Sequence, residues 1–291
     1  MSDIETEQQG CQKPPNAHWS KRAGYFLLFF MLESAIFAII PLSSIVSITI
    51  LLVIHACIIA ALLAAAVLLR ISKRGREYFQ VFYAFFAAGA VVLLSSLFSG
   101  FLVELLGFSL ATPSGIAVAK FSEAVLRVIP LLVLMMLIGA NRESMYLNRG
   151  RIGIALVVGI IAFIVFPIIA YIPLANQVGI VDRLLSLSPW ILLFVLSNGF
   201  MEELLFRGLL LKRFEPFLGA NLSNLLAAIV FTLIHAQVTY TTNLILFLLL
   251  IAFPLSLAWG YLTQKTGSIW GAVLFHAAGD CLVVFGVFTS M

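Results

Sequence analysis

Nine apolar segments, each about as long as a bilayer is thick, constrain the fold of this chain more than any other feature. They lie near 23–41, 45–69, 78–107, 119–140, 151–174, 189–211, 221–238, 243–263 and 268–289. A helix that crosses the hydrocarbon core needs about 20 apolar residues. In lipid, backbone N–H and C=O groups must bond to each other, and helices achieve this within one segment. We therefore predict an all-α fold, a polytopic transmembrane helix bundle of about eight or nine spans.

The composition supports a membrane protein and excludes a soluble domain. Hydrophobic residues make up 62% of the 291 residues and charged residues only 10%, whereas a soluble domain carries about 25% charged residues. No basic patch is interleaved with aromatic residues in the way that nucleic-acid binding requires. The expected surroundings are therefore a lipid bilayer, and no nucleic acid is expected as a partner.

The distribution of lysine and arginine predicts a topology. Basic residues occur in the N-terminal tail and in every second connection between apolar segments, at Lys13, Lys21, Arg22, Arg70, Lys73, Arg74, Arg76, Arg142, Arg149, Arg151, Lys212, Arg213 and Lys265. In the other connections only Lys120 and Arg183 are candidates. The positive-inside rule places the tail and the basic connections in the cytoplasm. We expect a multi-pass plasma membrane protein with a cytoplasmic N-terminus; eight spans remain an alternative if one segment is re-entrant.

The sixth apolar segment contains three charged residues, Glu202, Glu203 and Arg207. A charge at the bilayer centre costs about 2.5–3.5 kcal/mol on insertion scales, so such groups must be paired or used. Glu203 and Arg207 are four residues apart in the favourable order for an ion pair. Glu202 points about 100° away from Glu203 around the helix and has Phe206 at its i+4 position. We therefore predict a supporting ion pair and a catalytic base at Glu202.

Two further segments carry histidines with partners one helical turn away. His235 follows Phe231 by four residues, and His276 precedes Asp280 by four. With a rise of ~1.5 Å per residue, these groups and Glu202 fall at similar depths. We predict that they converge in one buried cavity. Other polar residues within the spans are assigned to packing or to hydrogen bonds between helices, namely Glu33, His55, Glu104, Glu123 and Arg127.

Such a set of residues favours hydrolysis without a covalent intermediate. A glutamate beside a histidine can polarise a water molecule and accept its proton. A second histidine can donate a hydrogen bond to the oxyanion that forms at a carbonyl. The chain has no Gly-x-Ser-x-Gly elbow and no Cys–His signature, which argues against a nucleophilic enzyme.

The order of these motifs resembles a known family. The pattern Glu-Glu-x-x-x-Arg, then Phe-x-x-x-His, then His-x-x-x-Asn/Asp is similar to that of the CAAX protease and bacteriocin-processing (CPBP, or Abi) family. Its members are intramembrane glutamic endopeptidases related to the eukaryotic Rce1 prenyl-protein protease. The stretches EELLFRGLLLKRF and TGSIWGAVLFHAAGD carry the likeness in this chain.

The resemblance implies a role for each matching residue. Glu202, with help from His235, would activate water, and His276 with the residue at position 280 would stabilise the oxyanion. Because an ionised aspartate cannot donate a hydrogen bond, we expect Asp280 either to be protonated or to orient His276, and we favour the second role. The supporting residues of the site would be Glu203, Arg207 and Phe231.

The polar N-terminus and the concentration of ionisable groups within the last spans predict a division of the chain, and the resemblance implies an activity. We predict a polar cytosolic tail over 1–22, N-terminal transmembrane helices of unassigned role over 23–188, and a catalytic helix core over 189–291. The expected function is intramembrane endopeptidase activity on a peptide or protein substrate that reaches the membrane, with no cofactor.

Three alternatives stay open at this point. Glu202, His235 and His276 could bind zinc as a His₂Glu triad, although the chain lacks His-Glu-x-x-His. The protein could instead be a non-catalytic membrane scaffold or a bacteriocin immunity protein that uses the polar cavity only for recognition. Buried acids and histidines also build the relays of proton-coupled transporters.

Overall fold

The computed structural model describes residues 17–38, 45–236, 238 and 243–291. Within these ranges every regular element is helical, which confirms the predicted all-α class. The nine long helices are numbered α1 to α9 in chain order. Their bounds are α1 Ala17–Phe37, α2 Ile48–Ile71, α3 Phe79–Leu105, α4 Pro113–Leu137, α5 Ile152–Leu174, α6 Ile180–Leu218, α7 Ala220–Ile234, α8 Leu244–Thr266 and α9 Trp270–Ser290.

Six of these helices are long and apolar enough to cross a membrane, namely α2, α3, α5, α6, α8 and α9. Helices α1 and α4 are also long enough, with 21 and 25 residues, but each carries three charged residues. Helix α7 is apolar but has only 15 residues. The nine helices match the nine apolar segments one for one, so the predicted count of eight or nine spans is roughly consistent with the structure. The protein is an integral, multi-pass membrane protein.

Two boundaries differ from the sequence prediction. The predicted polar tail covers residues 1–22, of which the first sixteen lie outside the described residues, and α1 already begins at Ala17. Helix α4 begins at Pro113, where the Thr112 side chain caps it by accepting a hydrogen bond from the Gly115 N–H. Lys120, expected in a connection, therefore lies two turns inside this helix. An N-cap threonine followed by proline is a strong helix start, and the search for apolar runs overlooked it.

The helices that carry the predicted site form the centre of the bundle. Helix α9 packs along α5 and α6, and α8 packs against both α7 and α9. Helix α4 packs against both α6 and α3. Helix α1 packs against α3 and α7. Three helices that precede α6 in the chain, α1, α4 and α5, therefore pack against the helices α6 to α9.

A glycine lets α6 and α9 touch along their backbones. A Cβ atom at Gly199 would lie 3.0 Å from the carbonyl oxygen of Val273 and 3.1 Å from the backbone nitrogen of Ala277. Small residues permit such close approach between membrane helices. Glu203 follows Gly199 by one turn, and His276 lies between the two residues that Gly199 contacts. The close approach therefore determines how near the glutamate and the imidazole can come.

Helix α6 changes its geometry directly after the two glutamates. It is α-helical from Ile180 to Glu203, π-helical from Leu204 to Leu211, and α-helical again from Lys212 to Leu218. The apolar run predicts a regular α-helix here. In a fully buried segment the apolar spacing does not reveal the wider i→i+5 hydrogen bonds of a π-helix. All eight residues of the π segment are buried. Such π segments occur frequently at functional sites.

A polar cluster surrounds the C-terminal end of α6. The Tyr146 hydroxyl donates to the Glu215 carboxylate at 2.7 Å, and the Gln264 amide donates to the same oxygen at 3.1 Å. Arg213 donates to the Ser144 carbonyl. Burial, followed by the bond to Glu215, raises the pKa of Tyr146. The phenol thus stays protonated and continues to donate.

The contact at Gly199 gives a stability prediction. Gly199→Val should push α9 away from α6 and destabilise the protein by about 1–3 kcal/mol, as overpacking does elsewhere. Gly100→Val is the matched control, because a Cβ at Gly100 in α3 meets no atom within 4 Å. Thermal unfolding in detergent measures both variants. Equal melting temperatures would contradict the close approach.

Candidate active site

The four predicted catalytic residues line one cavity of about 830 Å³. Glu202 lies at the end of the α-helical part of α6, and His235 directly follows the last residue of α7. His276 and Asp280 lie one turn apart on α9. The structure therefore brings together side chains that are up to 78 positions apart in the sequence. Their chemical roles remain predictions.

His276 is the centre of the polar cluster. Its Nδ1 lies 2.8 Å from Glu203 Oε1, while its Nε2 lies 3.5 Å from Glu202 Oε2 and 3.6 Å from Asp280 Oδ1. Only the first distance is that of a hydrogen bond. With the Nδ1–H donating to Glu203, Nε2 faces the two other carboxylates. The two adjacent glutamates thus approach the imidazole from opposite sides of the ring.

Glu203 and Arg207 form the ion pair that their spacing predicts. Arg207 Nη1 donates to Glu203 Oε1 at 2.8 Å, and both side chains are completely buried. Arg207 Nη2 donates to the Ser256 carbonyl oxygen at 2.8 Å and to its hydroxyl at 2.5 Å. Ser256 belongs to α8, so the guanidinium joins α6 to α8, while Glu203 joins α6 to α9.

The role of Asp280 toward His276 stays a prediction. Glu203 makes the hydrogen bond to the ring, and Asp280 Oδ1 lies 3.6 Å from its Nε2. Asp280 Oδ2 accepts a hydrogen bond of 3.0 Å from the Asn198 amide. Asn198 precedes Glu202 by one turn on α6 and lines the same cavity. The sequence offered a signal for this residue, since 198 and 202 share one helix face, but the motif search did not consider it.

Aromatic side chains fix the plane of the His276 ring. Trp259 stacks on it with a centroid distance of 3.9 Å and an angle of 8°, and Phe231 meets it edge-on at 5.6 Å. The Arg207 guanidinium lies over both aromatic rings, 5.1 Å from Phe231 and 5.4 Å from Trp259. These contacts favour the cation and exclude water from the buried pair. Trp259 belongs to α8, outside the three motifs, and sequence reasoning missed it.

His235 is held by its own helix. Its Nδ1 lies 2.8 Å from the carbonyl oxygen of Phe231, one turn earlier, and this bond fixes the ring. With Nδ1–H as the donor, Nε2 is left as an acceptor toward the cavity. His235 and Glu202 line the same cavity. Among the described residues, Glu202 Oε2 has no hydrogen-bond partner although it is buried. A buried carboxylate oxygen in this state suits a bound water.

The zinc alternative gains no support from this geometry. In the part of the chain that the structure describes, no group of three or more His, Cys, Asp or Glu side chains is arranged to hold a metal ion. The Nδ1 of His235 bonds to the backbone and that of His276 to Glu203. The single Nε2 that meets Glu202 belongs to His276, at 3.5 Å. A zinc site of the His₂Glu type would need two histidine nitrogens and one glutamate oxygen, each about 2.0–2.2 Å from one centre.

The residues assigned to packing behave in different ways. Glu123 and Arg127 form an ion pair at 2.5 Å, and Glu104 is exposed. Glu33 and His55 are completely buried outside the cavity wall. Neither has a hydrogen-bond partner among the described residues, so packing is the one of the two expected roles that the described contacts allow.

The bundle and its cavity thus define a multi-pass membrane protein with a buried carboxylate and imidazole site. Residues 184–282 match the family described as Rce1-like, the type II CAAX prenyl endopeptidases. This stretch runs from α6 to α9 and contains every residue of the three motifs. The likeness predicted from the motifs is thereby confirmed, and it is a likeness to a family of proteases. A search of curated proteins and a search of solved structures found no match.

The buried ion pair gives a second stability prediction. Arg207→Ala should destabilise the protein by about 3–5 kcal/mol, because it strands the Glu203 carboxylate in an apolar interior. The double variant Glu203→Gln with Arg207→Met should recover part of this loss, since neither charge then remains. Arg183→Ala, an exposed position on the same helix, should change stability by about 0.5 kcal/mol or less. Denaturant unfolding in mixed micelles measures all three. A double variant as unstable as Arg207→Ala would refute the pairing.

Proposed function

We propose that the protein is an intramembrane endopeptidase in which Glu202 activates the water that attacks a peptide bond. The observation that carries this proposal is the buried Glu202 Oε2, which has no hydrogen-bond partner among the described residues and lies 3.5 Å from Nε2 of His276 in the cavity wall. The Rce1-like match of residues 184–282 supports the reaction class. The glutamic mechanism itself is an inference from the side chains.

Glu202 and His235 are assigned to the attacking water. The water lies between the Glu202 carboxylate and the Nε2 of His235, and Glu202 accepts its proton as the oxygen attacks the carbonyl carbon. Since Nδ1 of His235 is bonded to its own helix, its other nitrogen keeps a fixed direction. When the tetrahedral intermediate collapses, Glu202 returns the proton to the amine nitrogen. The products are one free carboxylate and one free amine.

His276 is assigned to the oxyanion. An imidazolium can donate from both nitrogens, so Nδ1–H stays on Glu203 while Nε2–H binds the developing negative charge. Three carboxylates within 4 Å of the ring, from Glu202, Glu203 and Asp280, stabilise the positive charge that this role needs. Trp259 and Phe231 hold the ring in place through the contacts described above.

Asn198 and Asp280 complete the assignment. Asp280 is proposed as a counter-ion for the His276 imidazolium, because an ionised carboxylate cannot donate to an oxyanion. The Asn198 amide carries a second hydrogen beyond the one given to Asp280, and this hydrogen can serve as a neutral donor in the cavity. An amide donor beside an imidazolium is a common form of oxyanion stabilisation.

The proposed substrate is a peptide or protein that reaches the site from the lipid. The cavity is walled mainly by apolar side chains of α8 and α9, including Phe247, Leu255 and Val287. Such a wall suits an apolar segment or a lipid-modified residue next to the scissile bond. We further propose the plasma membrane as the location and the cytoplasm for the N-terminus, from the alternation of basic connections.

The experiment that tests the function compares the wild type with Glu202→Gln. Purified protein in proteoliposomes is incubated with a mixed library of apolar peptides, prenylated and unmodified, and cleavage is read by mass spectrometry. Glu202→Gln is nearly isosteric and removes the base, so cleavage should fall about 10²–10⁴-fold with an unchanged melting temperature. His235→Ala should also abolish cleavage. Glu143→Gln, at an exposed position, is the matched control.

Further measurements on the same protein and its Glu202→Gln variant separate the rival functions. Biological function that survives Glu202→Gln, without cleavage, would favour a scaffold or an immunity protein. Cleavage that chelators abolish and zinc restores would favour the metalloprotease, and substrate flux that depends on a proton gradient would favour a transporter.

A further inference from the structure

A groove on the surface of the bundle lies apart from the cavity of Glu202. It has a volume of about 630 Å³ and is formed by α5, α6, α9 and the connection before α5. It shares no lining residue with the cavity. Among the described residues that line the groove, Arg149 is the only charged one and the others are apolar. Ligand sites in proteins commonly have this size and this composition.

The walls of the groove are fixed by close contacts between helices. Helices α5 and α6 both pack along α9. A Cβ atom at Gly271 in α9 would lie 2.8 Å from the Cα of Ala155 in α5. Gly199 brings α6 equally close to the backbone of α9, as described above. The groove is therefore formed before any ligand binds, and binding does not require the helices to move apart.

One end of the groove lies where lipid headgroups are expected. Arg149 lies three residues before α5 begins, and Trp270 is the first residue of α9. The Trp270 ring stacks on Phe200 with a centroid distance of 5.6 Å and an angle of 7°. Tryptophan is enriched where membrane helices meet the headgroup layer. The proposed topology assigns this end to the cytoplasmic leaflet, because basic connections precede both α5 and α9.

The groove becomes aliphatic one helical turn away from that end. Leu156 follows Ile152 by four residues on α5, and Leu196 precedes Phe200 by four on α6. Four residues correspond to a rise of roughly 6 Å. Leu156 and Leu196 are exposed, so the groove is open toward the lipid. A surface of this kind suits the first methylene groups of an acyl chain, because these are apolar and lie directly below a headgroup.

The charge at the headgroup end favours an anion. The connection over 138–151 carries Arg142, Arg149 and Arg151 but only one acidic residue, Glu143. The Arg149 side chain is exposed and makes no hydrogen bond or ion pair with another described residue. Its guanidinium can therefore bind two phosphate oxygens of a ligand. The net positive charge of this connection favours a lipid of net negative charge over a zwitterionic one, whose own cationic group it repels.

We propose that this groove binds one anionic glycerophospholipid of the cytoplasmic leaflet. The lipid phosphate accepts hydrogen bonds from Arg149, and the upper part of one acyl chain lies between α5 and α6. The bound lipid contacts three helices of the folded bundle and therefore stabilises it. The site does not depend on the proposed reaction, because no residue of the groove belongs to the cavity.

The first measurement uses the full chain in non-ionic detergent and needs no variant. Phosphatidylglycerol and phosphatidylcholine with identical acyl chains are titrated separately, and binding of the first lipid is followed by native mass spectrometry. Phosphatidylglycerol should bind about tenfold more tightly, since each basic residue near a membrane surface favours an anionic lipid. At equal concentration it should also raise the melting temperature more than phosphatidylcholine does.

Two variants with matched controls locate the site. Arg149→Gln should lower the affinity for phosphatidylglycerol about tenfold and remove most of the preference over phosphatidylcholine. Its control is Arg74→Gln, at an exposed arginine in the connection between α2 and α3, which should change neither affinity. Leu156→Trp fills the groove and should weaken binding of both lipids. Its control is Ile160→Trp, an exposed position one turn further along α5 and outside the groove.

Three results would each overturn the lipid site. The first is equal affinity of the wild type for the two lipids. The second is an Arg149→Gln variant that loses no more affinity than Arg74→Gln, and the third is a Leu156→Trp variant that binds both lipids as Ile160→Trp does. Melting temperatures report whether each variant is folded. No peptide is cleaved in this experiment, so its outcome is separate from that of the Glu202→Gln test.

Discussion

A buried chain of charges, Arg207–Glu203–His276, is the interaction on which the rest of the site depends. Burying a charge in an apolar bundle is costly unless the charge is paired. Arg207 is paired with Glu203 on its own helix and bonded to Ser256 on α8, and Glu203 is bonded to His276 on α9. The chain therefore joins α6, α8 and α9 through one set of charges. Separating any of these helices would leave an ion without its partner.

This arrangement assigns different tasks to two adjacent glutamates. On an α-helix the two side chains point about 100° apart. Glu203 therefore approaches Nδ1 of His276, and Glu202 approaches Nε2. Glu203 is bonded to Arg207 and to Nδ1 of His276, whereas Glu202 lines the cavity and its Oε2 has no hydrogen-bond partner among the described residues. The difference between them comes from their partners, because the residue type is the same. Glu203 thus keeps the imidazole in position, and Glu202 is the carboxylate that the proposed reaction uses.

The amino-acid sequence predicted the parts of this structure that depend on spacing. Apolar runs gave the helices, the four-residue step gave the Glu203–Arg207 pair, and the motif order gave the likeness that residues 184–282 bear to a protease family. The π segment after Glu203 was not predictable in this way, because a segment buried on all sides has no apolar periodicity to reveal its geometry. Contacts between helices could not be predicted from the spacing of residues either. The stack of Trp259 on His276 joins α8 to α9, and no spacing within one helix encodes it.

The position of α4 has a consequence for how separable the protease-like stretch is from the remainder of the chain. Helix α4 packs on α6 and contributes Ile116 and Lys120 to the cavity wall. A fragment limited to α6 through α9 would lose that wall, and acyl chains would then reach the carboxylate of Glu202 directly. The stretch that carries the motifs thus does not form the whole cavity wall by itself. Its transfer to another membrane protein would require a substitute helix that supplies both the shape and the positive charge of α4.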